Sequence, residues 1–212
     1  MSVMQKKYKS LVKELSFVNS EYEYIMEVVK GAHKDFETYY RRYCAENKVP
    51  IEDINEKNKS KLQKVFPKKK PTVDESGIVK INKKPKTEKT DKTLQKMYRA
   101  VAVKIHPDKF SSFEETPEII EKTEMFKEAS TAYNDGNWAI FLDICEKLDI
   151  LPNRYIKVME VIREEISELK KKIAHEKATF SWKLYECDNE EKCKKKIIGD
   201  FLFQLFKYRV GD

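Results

Sequence analysis

The residues best suited to chemistry in this chain are few. His106 and Asp108 flank Pro107, an imidazole two positions from a carboxylate. A histidine paired with an acid serves general acid–base catalysis when a nucleophile and oxyanion donors stand nearby. The sequence supplies neither here, and no metal-ligand spacing. Cys187 and Cys193, with His175 upstream, lack a fourth ligand and the short cysteine spacing of structural zinc sites. They read as structural thiols. His33 and Cys44, eleven residues apart, read as packing or surface residues. With no Gly-rich phosphate loop, nucleophile elbow or paired-histidine metalloprotease motif, the expectation is no catalytic residue, no metal, no cofactor and no enzyme.

The His-Pro-Asp tripeptide must be held by helices. From Thr93, the apolar positions Leu94, Met97, Tyr98, Val101, Ala102 and Ile105 form one helical face, while Lys92, Lys96, Arg99 and Lys104 lie off it. Pro107 ends that helix and drives His106 toward extended backbone. Thr116-Pro117-Glu118 has the form of an N-cap, a first-turn proline and a first-turn acid, opening a second helix through Phe126, Ala129, Ala132 and Tyr133. Asp135-Gly136-Asn137 should close it. Two helices joined by a polar loop predict an antiparallel hairpin with His106, Pro107 and Asp108 at its tip.

These residues resemble the J-domain (DnaJ-like) co-chaperones. Tyr98-Arg99-Ala100-Val101-Ala102-Val103-Lys104-Ile105-His106-Pro107-Asp108-Lys109 is similar to the family's second helix and signature loop, and Phe126-Lys127-Glu128-Ala129-Ser130-Thr131-Ala132-Tyr133 to its third helix. The resemblance implies a module that binds a DnaK-type (heat-shock-seventy) chaperone and stimulates its ATPase. It assigns His106, Pro107, Asp108 and Lys109, with Lys92, Lys96, Tyr98, Arg99 and Lys104, to chaperone binding. Leu94, Val101, Ala102, Ile105, Phe126, Ala132 and Tyr133 would form the hairpin core. The family's first helix is missing, because a lysine-rich stretch lies upstream of Thr93. Ile78-Val79-Lys80-Ile81, the helix from Trp138 to Leu148, or the long terminal helices must then cover the hairpin. Ala100 stands where many members carry a basic residue. More loosely, the layout over residues 92–208, with the patch Phe180-Ser181-Trp182 and Tyr185, is similar to J-domain-like proteins encoded by large nucleocytoplasmic DNA viruses.

The chain has 212 residues, 37% of them charged, and only 5 glycines, a composition that favours helices over turn-rich folds. Its net charge of +7 is local: thirteen lysines and four acids fall between Lys57 and Lys92, so that segment carries +9 and the rest −2. With Pro67, Pro71 and Pro85 it reads as a solvated linker, and Lys68-Lys69-Lys70 as a weaker nuclear-targeting or nucleic-acid patch. No proline occurs in 1–49 or 153–212. There, Met4, Tyr8, Leu11, Leu15, Val18, Tyr22, Ile25, Val29, Ala32, Phe36, Tyr39 and Tyr43 step 4-3 without a miss, with Gly31 as the weak point. Tyr155, Met159, Ile162, Ile166, Leu169, Ile173 and Phe180 repeat the pattern, broken at Glu176.

The expectation is an all-α protein with long N- and C-terminal coiled-coil-like helices, an inserted J-like helical hairpin and a lysine-rich linker. Its segments are residues 1–46, 47–92, 93–150 and 151–212. The simplest arrangement pairs the long helices as an antiparallel hairpin, with homodimerisation through either seam as the competitor. The stretch Ile197 to Phe206 should fold back onto the bundle. No apolar run spans a membrane or marks a signal peptide, and the scattered cysteines fit reduced thiols in a cytoplasm, that of a host cell or its virion for a viral chain, or in a nucleus. Partners would be the chaperone and a client. A scaffold role for the coiled coils and a nucleic-acid-associated role for the basic segment are the alternatives.

Overall fold

The computed structural model describes residues 1–54, 56, 92–110 and 116–210. At the ends of the linker reading over 47–92, Val49 is buried in a core against which Ile51 and Ile54 pack, and Lys92 begins a helix, so those ends are packed rather than linker. Its residues 55 and 57–91, with Ile78–Ile81 and Lys68–Lys70, lie outside the described residues. Among these, the chain is all-α: α1 (Val3–Glu46), α2 (Lys92–Ile105), a 3₁₀ turn (Pro107–Lys109), α3 (Pro117–Asp135), α4 (Trp138–Lys147), α5 (Tyr155–Ala178), α6 (Phe180–Glu186) and α7 (Glu191–Phe206). No described helix is long and apolar enough to cross a membrane. The chain divides into two compact units, Met1–Glu23 with Lys84–Ile173, and Tyr24–Lys83 with Ala174–Asp212.

In the first unit the 4-3 seams do what their spacing demands. Tyr8, Leu15 and Val18 of α1 are buried, and so are Met159, Ile162, Ile166 and Leu169 of α5. The direction of pairing, however, is the opposite of the antiparallel hairpin. Tyr8 meets Tyr155 edge to face at 5.6 Å, Glu14 pairs with Lys170 at 2.9 Å, and Lys172 lies over the Tyr22 ring at 5.7 Å. Both helices therefore advance together, in parallel. A heptad stripe accepts either direction. The long segment between the two helices lets the chain return to the start of α1 before α5 begins.

The α2–α3 hairpin packs in the same unit and is antiparallel. Tyr98 stacks on Tyr133 at 4.5 Å near its base, and His106 meets Phe126 at its tip. Both ends of α3 follow local chemistry. Thr116 accepts the Ile119 amide, and Gly136, at φ +72°, turns the chain so that Asn137 caps α4 by accepting the Ile140 amide. Of the candidate covers for the hairpin, the described residues show helix α4 packed on it, with Phe141 beside Tyr98 and Tyr133, and Trp138 against Tyr133. Ala139, Phe141, Leu142, Ile144 and Cys145 of α4 are buried. Burial lifts the Cys145 thiol to about 12, which makes it an inert packing group.

In the second unit Tyr39, Cys44, Val49, Leu184, Ile198 and Leu202 form one core cluster. Phe201 sits amid Phe36, Tyr40, Phe180 and Phe206, so the stretch through Ile197–Phe206 does pack inward. Gly31 does not interrupt α1. One reading changes here. Cys187 and Cys193 are not free thiols but a disulfide, their Cα atoms 5.5 Å apart across the turn between α6 and α7. The turn folds one sulfur back over the other, a proximity that six positions of sequence separation do not reveal. His33 is an exposed residue, its Nδ1 2.7 Å from the Ser181 hydroxyl.

Candidate functional site

The tip of the α2–α3 hairpin is built almost wholly from local bonds. Helix α2 closes with the His106 amide donating to Ala102 at 3.0 Å, after which His106 turns extended at φ −63°, ψ 133°, as a residue before proline must. One 3₁₀ turn follows, with the Lys109 amide bonded to the His106 carbonyl and the Phe110 amide to the Pro107 carbonyl. The His106 ring packs edge-on against Phe126 at 4.8 Å and leaves 40% of its side chain in solvent. The Asp108 side chain projects outward, 89% exposed.

The imidazole is wired as an acceptor. Nδ1 receives the Asp108 backbone N–H at 3.2 Å, whereas the nearest Asp108 carboxylate oxygen lies 3.6 Å away, beyond hydrogen-bond range. Nδ1 thus faces a backbone donor, whereas a catalytic histidine–acid pair has Nδ1–H donating to the carboxylate.

The residues assigned to binding fall into three groups. Lys92, Lys96 and Arg99 lie on the exposed face of α2, and none has a carboxylate partner among the described residues. Lys104 and Lys109 are exposed but tethered: their ammonium groups donate to the Leu148 carbonyl at 2.5 Å and the Val103 carbonyl at 2.6 Å, charges suited to the negative ends of α4 and α2. Tyr98 belongs to the hairpin interior instead. It stacks on Tyr133, and its hydroxyl lies 3.1 Å from that of Ser130. A ring stacked face to face has little area left for a partner, so its place is structural.

The core assignments mostly hold their places. Leu94, Val101, Ile105 and Ala132 are buried, while Ala102, Phe126 and Tyr133 are partly covered. Phe126 does more than fill space, because it seats His106. Val103, 68% exposed on the basic face of α2, is an apolar surface residue that sequence reasoning passed over. Its signal was legible as an apolar residue out of phase with the buried face.

Among the described residues no group of three or more histidine, cysteine or acidic side chains is placed to hold a metal. Comparison with family models, curated proteins and solved structures finds no match for this chain.

Proposed function

We propose that the chain is a J-domain-type co-chaperone: it docks on a DnaK-type chaperone through the exposed face of α2 and the His106-Pro107-Asp108 tip, and accelerates that partner's ATP hydrolysis. One observation carries this reading. The tripeptide stands at the exposed tip of an antiparallel helix pair, directly after a helix whose outer face offers Lys92, Lys96 and Arg99. Such charges raise the encounter rate and orient the approach to an acidic surface, while the tip supplies the specific contacts.

The test is steady-state ATP hydrolysis by a DnaK-type chaperone with the intact chain and with His106→Gln or Asp108→Asn, each checked by circular dichroism. Stimulation by the wild type that disappears in both variants is the expected result. No stimulation across bacterial and eukaryotic chaperones would sink the reading and leave a scaffold in its place. Against a coiled-coil scaffold stands the burial of much of both seams within the chain itself, Tyr8, Leu15, Val18 and Ile25 of α1 and Met159, Ile162, Ile166 and Leu169 of α5 among them. Light scattering against the 25.2 kDa monomer mass checks that point.

A further inference from the structure

The first turn of α2 and the residues leading into α5 border a common cleft of about 300 Å³, lined by Lys92, Thr93, Lys96, Asn153, Arg154 and Lys157. All six belong to one compact unit. Lys92 and Lys96 stand one turn apart on the same face of α2, and Arg154 and Lys157 are similarly spaced on the opposite wall. Four cations thus converge on one small volume, and no carboxylate among the described residues lines it. The one ion pair they make among the described residues, Lys157 to Glu160 at 3.0 Å, points along α5, with both side chains at least half exposed. Like charges gathered this way repel one another and generate a positive potential that a counter-charge relieves.

We propose that this cleft is a binding site for a compact multivalent anion, the phosphate monoester or diphosphate group of a phosphorylated ligand. Convergence decides the class. Charges arranged around a point suit two or more negative charges on one or two adjacent phosphorus atoms. A nucleic-acid strand, with one charge per phosphodiester strung along a line, calls for a basic stripe. Arg154 contributes a planar fork that matches two phosphate oxygens, the lysines contribute adjustable point charges, and the Asn153 amide contributes neutral donors. The site stands independently of chaperone docking, although Lys92 and Lys96 serve both readings.

The experiment titrates the full chain with sodium pyrophosphate at low ionic strength, followed by calorimetry and by backbone amide shifts. Saturable one-site binding is expected, with shifts at Lys92–Lys96 and Asn153–Lys157. Lys96→Glu and Arg154→Glu should each weaken it about tenfold or more, and Arg154→Lys less, since it keeps the charge and loses the fork. The altered residues are exposed, so the variants should keep the wild-type circular dichroism and melting temperature. ADP and a phosphoserine peptide, titrated in parallel, distinguish a nucleotide from a phosphoprotein source by which binds more tightly. Unchanged pyrophosphate affinity in both charge reversals, absence of saturation, or an oligonucleotide binding more tightly than pyrophosphate through the same four residues would overturn the proposal.

Discussion

Between α2 and α3 the chain leaves its helix at His106-Pro107-Asp108, with the polar side chains outside and a few local hydrogen bonds holding the backbone. Between α6 and α7 it turns through Cys187–Glu190, with Asp188 in the left-handed region at φ +46° and a covalent bond from Cys187 to Cys193. Behind the second turn lie Leu184, Ile198 and Leu202, all buried with Tyr39, Cys44 and Val49. Behind the first, among the described residues, the ring against the tip is that of Phe126. The first turn leaves the His106 side chain 40% and the Asp108 side chain 89% exposed, whereas the second is sealed by apolar burial and a cross-link.

The contrast can be broken most sharply in the sealed turn. Leu202→Ala removes a fully buried side chain and should cost roughly 2–5 kcal/mol, read by urea unfolding. Cys193→Ser, or reduction of the wild type, opens a seven-membered residue loop and should cost about 2 kcal/mol by loop entropy. A loss near zero would mean that the core alone holds α6 against α7. Thr116→Ala at the far side of the open turn removes the α3 cap, an effect of about 1 kcal/mol in thermal melts.

The open turn should show the reverse balance of stability and activity. Asp108→Asn changes an 89% exposed side chain and should alter stability by no more than about 0.5 kcal/mol, while chaperone stimulation falls to the basal rate. If it destabilised as much as Cys193→Ser, the tip would be a structural turn and the contrast would vanish. Away from both turns, Glu165 is a control. Burial raises its carboxyl above the ordinary value, outweighing Lys172, so its charged form is disfavoured by folding at neutral pH. The sign follows: Glu165→Gln should raise the melting temperature slightly at pH 7. That gain should shrink as pH falls through the folded carboxyl's pKa, where the wild type takes up its proton.

Legibility in the sequence tracked how local the cause was. Thr116, Gly136 and Asn137 announced the ends of α3 and the start of α4, because caps and left-handed turns are settled within four residues. Extended backbone at His106 followed from Pro107 alone. Tyr98 misled, since an aromatic beside a basic face looks equally like a contact residue and a packing one. Only the Tyr133 ring across the hairpin distinguishes them. The disulfide was missed for a related reason. Six positions between Cys187 and Cys193 match no metal spacing, and nothing in the linear order brings the two sulfurs together.

What the sequence determined by itself is the helical class, the twelve-residue seam of α1, the hairpin and the outward position of His-Pro-Asp, all consequences of period, proline and caps. Tertiary structure alone decided that α1 and α5 run parallel, that α4 covers the hairpin, that Lys104 is tethered to the Leu148 carbonyl, and that Arg154 and Lys157 face Lys92 and Lys96 across one cleft. Each of these joins residues tens of positions apart or more. Periodicity shows that a face will be buried or a charge exposed; which distant element meets it depends on how the whole chain closes its core.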